Sequence, residues 1–206
     1  MIDSQLRSSG VTDRHVLRAF ADVPRERFVA EHRRSIAYVD DLQPVGEAGR
    51  FFLSPAHFGR IVQLAKIEPT DRVLDIGSAS GYSTAVLAKL AAGVVGLEFD
   101  AALVGPAQVL LQELGVTNAE IVAGDVASLA GETFDVIIAE GALDEQPEDL
   151  TGMLRPNGRL IAPMPSRGVP LIHVFVNTPT GVIFTSEFDA TMPRLWNWAP
   201  EDKFVF

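Results

Sequence analysis

The stretch Val-Leu-Asp-Ile-Gly-Ser-Ala-Ser-Gly, residues 73–81, decides the fold of this chain. Its hydrophobic run ends in an acid, Asp75, and a turn of small residues leads into a helix that we predict from Tyr82 to Leu90. Two later hydrophobic runs also end in acids, at Glu98 and at Asp125. This spacing is typical of strands that alternate with helices, so the three acids are predicted to lie along the carboxyl edge of one parallel sheet.

The carboxyl edge of such a sheet is where open α/β folds bind their ligands. A turn of small residues after the first of these strands lets a ligand approach the backbone closely. Glu98, at the end of the next strand, can accept hydrogen bonds from both hydroxyl groups of a ribose. The pattern therefore predicts a site for a nucleoside.

The glycine spacing of the turn narrows the choice of nucleoside. A dinucleotide site uses G-x-G-x-x-G to seat a pyrophosphate, whereas here Ala79 stands between Gly77 and Gly81; the chain also contains no P-loop motif. The acid beside the turn, Asp75, repels phosphate and suits an amino group. The order D-x-G-x-A-x-G resembles the motif of S-adenosylmethionine-dependent methyltransferases, usually D/E-x-G-x-G-x-G. The alternative is an ordinary strand-to-helix turn whose glycines serve packing.

The remaining pattern predicts a three-layer α/β sandwich with a mostly parallel, doubly wound, Rossmann-like sheet, a C-terminal antiparallel hairpin and an N-terminal helical extension. Helical spacing covers residues 3–33 with a break at Val23-Pro24, and prolines and glycines over residues 40–55 predict an irregular loop. Further helices are predicted at 57–65 and 103–114, and further strands at 134–139, 159–162, 171–176 and 182–188. We expect one methyltransferase domain over 1–206, with an extension and pocket loop at 1–56 and a cofactor-binding core at 57–206.

Composition excludes several classes of protein. The 206 residues carry a formal net charge of −10, which disfavours a nucleic-acid partner, and they include no cysteine for disulfides, thiolate metal sites or thiol nucleophiles. The four histidines are scattered, so no metal site is expected. No apolar stretch reaches the length of a membrane span and no signal-peptide core is present, so we expect a cytoplasmic protein that binds no membrane.

The N-terminal part carries a more specific resemblance, because methyltransferases in general do not share it. Over nearly its full length the chain resembles the protein-L-isoaspartate O-methyltransferase family. The matching N-terminal segments are Gln5-Leu-Arg7, Gly10-Val11, Val16-Leu17, Val23-Pro-Arg-Glu26, Phe28-Val29, Ala37-Tyr38, Asp40 and Leu42–Gly46. In the core they are Asp75–Ala88, Gly124-Asp125, and Asn157-Gly-Arg-Leu160 with Pro163.

The chain departs from the family pattern on the acceptor side. The family carries Thr-Ile-Ser-x-Pro before its pocket helix, and alignment on Pro55 places Leu53 at the serine and Ser54 one position later. Glu140 stands where the family shows a threonine, which brings a negative charge towards a carboxylate acceptor. Val126 replaces a glycine of the family's Gly-Asp-Gly.

The resemblance implies an S-adenosylmethionine-dependent O-methyltransferase for protein repair, acting on the carboxyl group of isoaspartyl (altered aspartyl) residues in proteins or peptides. Glu98 would hold the ribose, Asp125 the adenine amino group, and Asp75 with the 77–81 turn the methionine moiety, while residues 50–58 would cover the pocket. Ser54 is the candidate catalytic residue. The full set of candidate cofactor-binding residues is Asp75, Gly77, Ser78, Ala79, Ser80, Gly81, Glu98, Phe99, Gly124, Asp125, Val126 and Glu140.

Two alternatives stay open beside this hypothesis. A divergent relative could bind the same cofactor and methylate an alcohol or amine, with Glu140 as general base, or could have a regulatory role without turnover. Elsewhere, the run from Arg25 to Arg34 is interpreted as a solvated helix face. Trp196 and Trp198, with Leu195, lie near the C-terminus and are interpreted as a segment packed over the sheet.

Overall fold

The computed structural model of the protein describes residues 1–46, 49–144, 147–164 and 170–195. The strands are β1 Gln43–Val45, β2 Arg50–Phe52, β3 Arg72–Ile76, β4 Gly93–Glu98, β5 Ala119–Ala123, β6 Phe134–Ala139, β7 Leu154–Met164, β8 Leu171–Thr178 and β9 Gly181–Asp189. The α-helices are α1 Arg14–Asp22, α2 Pro55–Ala65, α3 Tyr82–Leu87, α4 Ala101–Glu113 and α5 Glu148–Gly152. A π-helical turn lies at Ile2–Arg7, and 3₁₀ turns lie at Arg25–Phe28, Glu31–Ile36 and Val126–Leu129.

The main sheet has seven strands in the order β5-β4-β3-β6-β7-β8-β9. The strands from β5 to β7 are parallel, and β8 and β9 continue the sheet antiparallel. Because β3 lies between β4 and β6, the strand order reverses at β3, and the crevice beyond its carboxyl end is the usual ligand site of such a sheet. The predicted fold class is confirmed.

Both faces of the sheet are covered, as the alternation along its central strands requires. Val73 of β3 packs in one hydrophobic core, whereas its neighbour Leu74 packs in a second core on the opposite face. Both side chains have no exposed surface. Strands buried on two faces read as continuous apolar runs, and for that reason the predicted bounds of β6 and the predicted end of β4 at Glu98 match the observed ones.

The helices begin close to where the sequence predicts. In α4 the carboxylate of Asp100 accepts a hydrogen bond from the backbone N–H of Ala102 and caps the helix, which therefore begins at Ala101, two residues before the predicted start. The helix predicted to end at Leu90 ends at Leu87 and continues as turns. Within the described ranges, no helix combines the length and apolar character that a membrane span requires.

Among the described residues of the 40–55 segment, two short strands replace part of the irregular loop that the prolines and glycines predict. β1 and β2 pair antiparallel there, with Gln43 opposite Phe52 and Val45 opposite Arg50. These strands have three residues each and one contains Pro44, so neither shows the alternation by which a strand is recognised. The hairpin fixes the position of Arg50 beside the main sheet.

Arg25 does not belong to a solvated helix face, and this interpretation of the sequence is wrong at that residue. Its side chain is fully buried. Nε donates a hydrogen bond to the carbonyl oxygen of Ala37 at 2.8 Å, and Nη2 donates to that of Leu53 at 2.7 Å. The guanidinium also lies 4.4 Å from the centroid of the Phe52 ring. Arg25 therefore joins the N-terminal extension to the segment that enters α2.

Candidate active site

Three acids that end successive strands lie at the carboxyl edge of the sheet, as predicted. Asp75 on β3 and Glu98 on β4 have no exposed surface. Asp125 follows β5, is exposed, and accepts a hydrogen bond from the backbone N–H of Ser128 at 3.3 Å. The order β5-β4-β3 thus gives an edge with two buried carboxylates and an exposed one at its side.

The turn after β3 is held in a conformation that only small residues adopt readily. Gly77, Ala79 and Gly81 have φ of 86°, 49° and 88°. The N–H of Gly77 donates to the carbonyl oxygen of Leu97 at 2.8 Å, which ties the turn to β4. Ser80 carries a buried hydroxyl for which the described part of the chain supplies no hydrogen-bond partner. A buried polar group without a partner calls for an explanation, and a bound ligand is one.

Glu98 is the most highly connected of the predicted site residues. It accepts hydrogen bonds from the backbone N–H groups of Ala79 at 2.6 Å and of Asp100 at 2.8 Å. It also forms a two-point ion pair with Arg50, with Nε 2.9 Å from Oε1 and Nη2 3.1 Å from Oε2. Arg50 is 2% exposed, so the pair is desolvated and strong. The guanidinium carbon lies 5.7 Å from the ring centroid of Phe99.

A C-terminal segment crosses the same edge. The N–H of Ala142 donates to the carbonyl oxygen of Pro193 at 2.8 Å, and the N–H of Leu195 donates to that of Ala142 at 2.9 Å. A Cβ placed on Gly77 would lie 2.7 Å from Cδ1 of Leu195 and 2.9 Å from Nη2 of Arg50. These two side chains therefore cover the start of the turn. The interpretation of Trp196 and Trp198 lies outside the described residues.

Two buried carboxyl groups, Asp75 and Glu140, lie close together behind the turn. Oδ2 of Asp75 accepts hydrogen bonds from the hydroxyls of Ser83 at 2.7 Å and Thr84 at 2.6 Å. Burial raises the pKa of Asp75 to about 6 despite these bonds. Burial and the neighbouring Asp75 raise the pKa of Glu140 well above its ordinary value. Neither oxygen of Glu140 has a hydrogen-bond partner among the residues described.

The two candidate positions before α2 serve the fold. Ser54 is the N-cap of α2, where its hydroxyl accepts a bond from the N–H of His57 at 3.4 Å and lies 2.9 Å from Nδ1 of the same residue. Leu53 is buried, and its carbonyl oxygen accepts the bond from Arg25. No hydrogen bond within the described ranges links Ser54 to Asp75 or Glu98.

Gly124, directly after β5, is linked to Glu98 by a backbone hydrogen bond. The N–H of Gly124 donates to the carbonyl oxygen of Glu98 at 3.0 Å. A Cβ on Gly124 would lie 2.5 Å from the hydroxyl of Ser128, so a larger residue would displace the 3₁₀ turn that starts at Val126. The structure therefore gathers Asp75, the 77–81 turn, Glu98 and Glu140, with Gly124 beside them and Asp125 further out.

Arg50 lies in the segment expected to cover the pocket, and Leu195 in the C-terminal segment expected to pack over the sheet, but the sequence assigned neither residue a contact with the turn. The only local signal for Arg50 is a charged residue directly before the apolar pair Phe51-Phe52. Its partner Glu98 is 48 residues away, so nothing in the local sequence identifies the pair. A separate cavity of about 580 Å³ lies elsewhere, beside Lys66 and Lys89, and contains none of the predicted site residues.

Known proteins similar to this chain give a consistent result. A family model described as protein-L-isoaspartate(D-aspartate) O-methyltransferase matches residues 1–189. A protein-L-isoaspartate O-methyltransferase from Koribacter versatilis is 37% identical over 176 residues, which cover 84% of this chain and 79% of the relative. A second relative, protein-L-isoaspartate O-methyltransferase 2 from Anaeromyxobacter sp., is 37% identical over 184 residues, 88% of this chain and 75% of the relative.

Solved structures agree on the fold. A Plasmodium falciparum chain assigned as a protein-L-isoaspartate O-methyltransferase, in complex with S-adenosyl-L-homocysteine, superimposes with a TM-score of 0.79. It is 23% identical, and the match covers 94% of this chain and 95% of that one. With the family model matched over residues 1–189 and relatives at 37% identity over most of both chains, this chain belongs to the protein-L-isoaspartate(D-aspartate) O-methyltransferase family.

Proposed function

We propose that the chain is an S-adenosylmethionine-dependent O-methyltransferase that methylates the carboxyl group of isoaspartyl residues in proteins or peptides. The family match over residues 1–189 carries this proposal. The site supports it, because a buried acid at the end of β4 lies next to a turn of small residues, and this is an arrangement that can bind a nucleoside.

The residues at the sheet edge fit the cofactor. Glu98 would accept the ribose hydroxyls, with Phe99 next to it, and Asp125 with Gly124 and Val126 would line the adenine. Asp75 and the 77–81 turn would hold the methionine moiety. Buried polar atoms without a partner in the described residues fit this assignment: Oδ1 of Asp75, Oγ of Ser78 and Oγ of Ser80.

Bound S-adenosylmethionine supplies a methyl group on a sulfonium, whose leaving group is already activated. An acceptor carboxylate is ionised at pH 7 and needs no general base. The protein's contribution would be to orient the acceptor and to exclude water, because charge is neutralised in the reaction. Ser54, at the entrance to α2, is our candidate to hold the acceptor, for which its hydroxyl would exchange its contact with His57.

Glu140 need not repel a carboxylate acceptor, contrary to what its charge suggests in the sequence. Its pKa is raised well above the ordinary value, first by burial and then by the neighbouring Asp75. A carboxyl group held in its neutral form adds no negative charge to the site, and it can donate a hydrogen bond. Glu140 is therefore compatible with the acceptor that the family match favours.

A peptide assay tests the proposal directly. Two synthetic peptides of identical sequence, one with an isoaspartyl and one with an aspartyl linkage, are incubated with radiolabelled S-adenosylmethionine and the protein. We expect base-labile methyl esters on the isoaspartyl peptide only. Equal labelling of both peptides would contradict the acceptor assignment, and no labelling, together with no binding of S-adenosylhomocysteine in calorimetry, would contradict the cofactor assignment as well.

A different acceptor is the second candidate, and Leu53 in place of the family serine favours it. A serine would offer a hydroxyl there, whereas the leucine is buried and offers only apolar surface. In that case Glu140 would act as general base for an alcohol or amine in its ionised form, which its raised pKa makes more basic than an ordinary carboxylate. Methylation of small alcohols or amines without methylation of the isoaspartyl peptide would support this candidate.

A further inference from the structure

We propose that Arg50 and Leu195 fill the cofactor site of this chain, and that S-adenosylmethionine must displace Arg50 from Glu98 towards Glu140 in order to bind. The inference rests on the proposed function, since it assumes that Glu98 holds the ribose. The contact between Arg50 and Glu98 competes with the ligand for the same carboxylate.

The acceptor sites of Glu98 are all occupied in the free protein. An ionised carboxylate accepts about four hydrogen bonds. Two come from the backbone N–H groups of Ala79 and Asp100, which the fold holds in place, and two from Arg50. The carboxylate therefore has no acceptor site left for ribose hydroxyls while Arg50 is bound. Of these donors, only Arg50 can leave by rotation of its side chain.

The space above the turn is filled by two side chains of the protein itself. The point where a Cβ of Gly77 would lie is 2.9 Å from Nη2 of Arg50 and 2.7 Å from Cδ1 of Leu195. These atoms occupy the surface that a glycine with positive φ leaves open to a ligand. The methionine moiety, which we assign to this surface, would therefore meet both side chains.

Glu140 offers the displaced guanidinium of Arg50 a buried partner. The same point above Gly77 is 3.6 Å from Cβ of Glu140, so Arg50 and Glu140 flank one small space. Both carboxyl oxygens of Glu140 are buried and lack a partner among the described residues. An arginine that leaves Glu98 can pair with this group without entering water, which lowers the cost of its displacement.

Calorimetric titration with S-adenosylhomocysteine tests the competition. Arg50→Gln removes the guanidinium group that competes with the ligand for Glu98. We expect this variant to bind S-adenosylhomocysteine about tenfold more tightly than the wild type, because no ion pair has to be broken first. Arg50→Lys keeps the positive charge but cannot make the two-point contact with Glu98, so its affinity for S-adenosylhomocysteine should lie between those of the wild type and Arg50→Gln. Arg7→Gln is the matched control, since it removes an exposed arginine paired with Asp3, and its affinity should equal that of the wild type.

Leu195→Ala removes the side chain over Gly77. The backbone hydrogen bonds that hold the C-terminal segment to Ala142 do not depend on that side chain and should remain. We expect binding about threefold tighter than wild type. This variant and Arg50→Lys keep the proposal testable if Arg50→Gln melts too low for calorimetry. Equal or weaker binding by the Arg50 variants and by Leu195→Ala would overturn the competition while leaving the cofactor assignment intact. No binding by wild type or any variant would overturn both.

A double-mutant cycle tests the destination of Arg50. Glu140→Gln should weaken S-adenosylhomocysteine binding when Arg50 is present, because it removes the carboxyl group that would ionise on pairing with the displaced guanidinium. The same substitution should have little effect in the Arg50→Gln background, where no cation is displaced. Equal effects of Glu140→Gln in both backgrounds would overturn this part of the proposal.

Discussion

The turn of residues 77–81 and the hairpin β1–β2 meet at one carboxylate, Glu98, but contact it in different ways. The turn contributes a backbone N–H, from Ala79, whose position follows from the pairing of β3 with β4. The hairpin contributes a long side chain, Arg50. A backbone donor can leave only if the sheet edge is rebuilt, whereas a side chain leaves by rotation about its own bonds. The first contact is therefore permanent and the second is exchangeable.

The largest effect is expected where the two regions meet, in Glu98→Ala. Ribose hydroxyls would lose bonds to a charged acceptor, each worth about 1.5–3 kcal/mol, so S-adenosylhomocysteine should no longer bind measurably in calorimetry. Folding should weaken by about 3–5 kcal/mol in denaturant titration, because Arg50 would be buried without a counter-ion.

A second variant separates these two effects. Arg50→Met combined with Glu98→Ala removes the buried cation, so stability should recover while binding stays absent. Unchanged cofactor affinity in Glu98→Ala would show that the ribose is held elsewhere. A double variant no more stable than Glu98→Ala would show that the ion pair is not the source of the instability.

The turn itself is probed by Gly77→Ala, compared with Gly131→Ala. Both glycines have positive φ, 86° and 89°, so both alanines carry a similar backbone strain of about 1–2 kcal/mol. Only at Gly77 would the new Cβ meet other atoms, those of Leu195 and Arg50, whereas Gly131 has none within 4 Å. We expect Gly77→Ala to lose about 1–3 kcal/mol more in denaturant titration. Equal losses of stability in the two variants would mean that the side chains of Arg50 and Leu195 move away from the new Cβ at no measurable cost.

The buried carboxyl pair behind the turn predicts a dependence of stability on pH. The pKa of Asp75 is raised from 3.8 to about 6, so the folded protein keeps a proton there that the unfolded chain has released. The free energy of unfolding should therefore fall as pH rises from about 4 to about 6, by about 3 kcal/mol from this group. Asp75→Asn should lack this component. A difference between wild type and Asp75→Asn that does not change with pH would contradict the assignment.

The smallest change in stability is expected on the acceptor side, in Ser54→Ala. Loss of the N-cap of α2 should cost about 1 kcal/mol, measured by thermal unfolding. If Ser54 also holds the acceptor, methylation of an isoaspartyl peptide should be lost. Asp13→Ala removes the N-cap of α1 and should cost about as much stability without loss of activity. Full activity in Ser54→Ala would exclude the catalytic role.

The cofactor side was more predictable from sequence than the acceptor side, for a physical reason. β4 and β6 are buried on both faces, so an unbroken apolar run marks each of them, and their ends place the acids. The hairpin β1–β2 consists of three-residue strands, which give no periodic signal. The burial of Arg25 and Arg50 depends on partners from distant parts of the chain. Because most charged residues lie at the surface, the sequence alone predicts that both arginines are exposed.

Ala79 adds a consequence for the energetics of ligand binding. It has a φ of 49°, a conformation that a glycine in the usual methyltransferase motif would adopt more easily. An alanine samples fewer backbone conformations than a glycine, so the turn has less conformational entropy to lose when a ligand orders it. The backbone strain at Ala79 arises during folding. The N–H of Ala79, which orients Glu98, is therefore in place before a ligand binds. The free protein is slightly destabilised at Ala79, and in return the carboxylate of Glu98 is preorganised for the ligand.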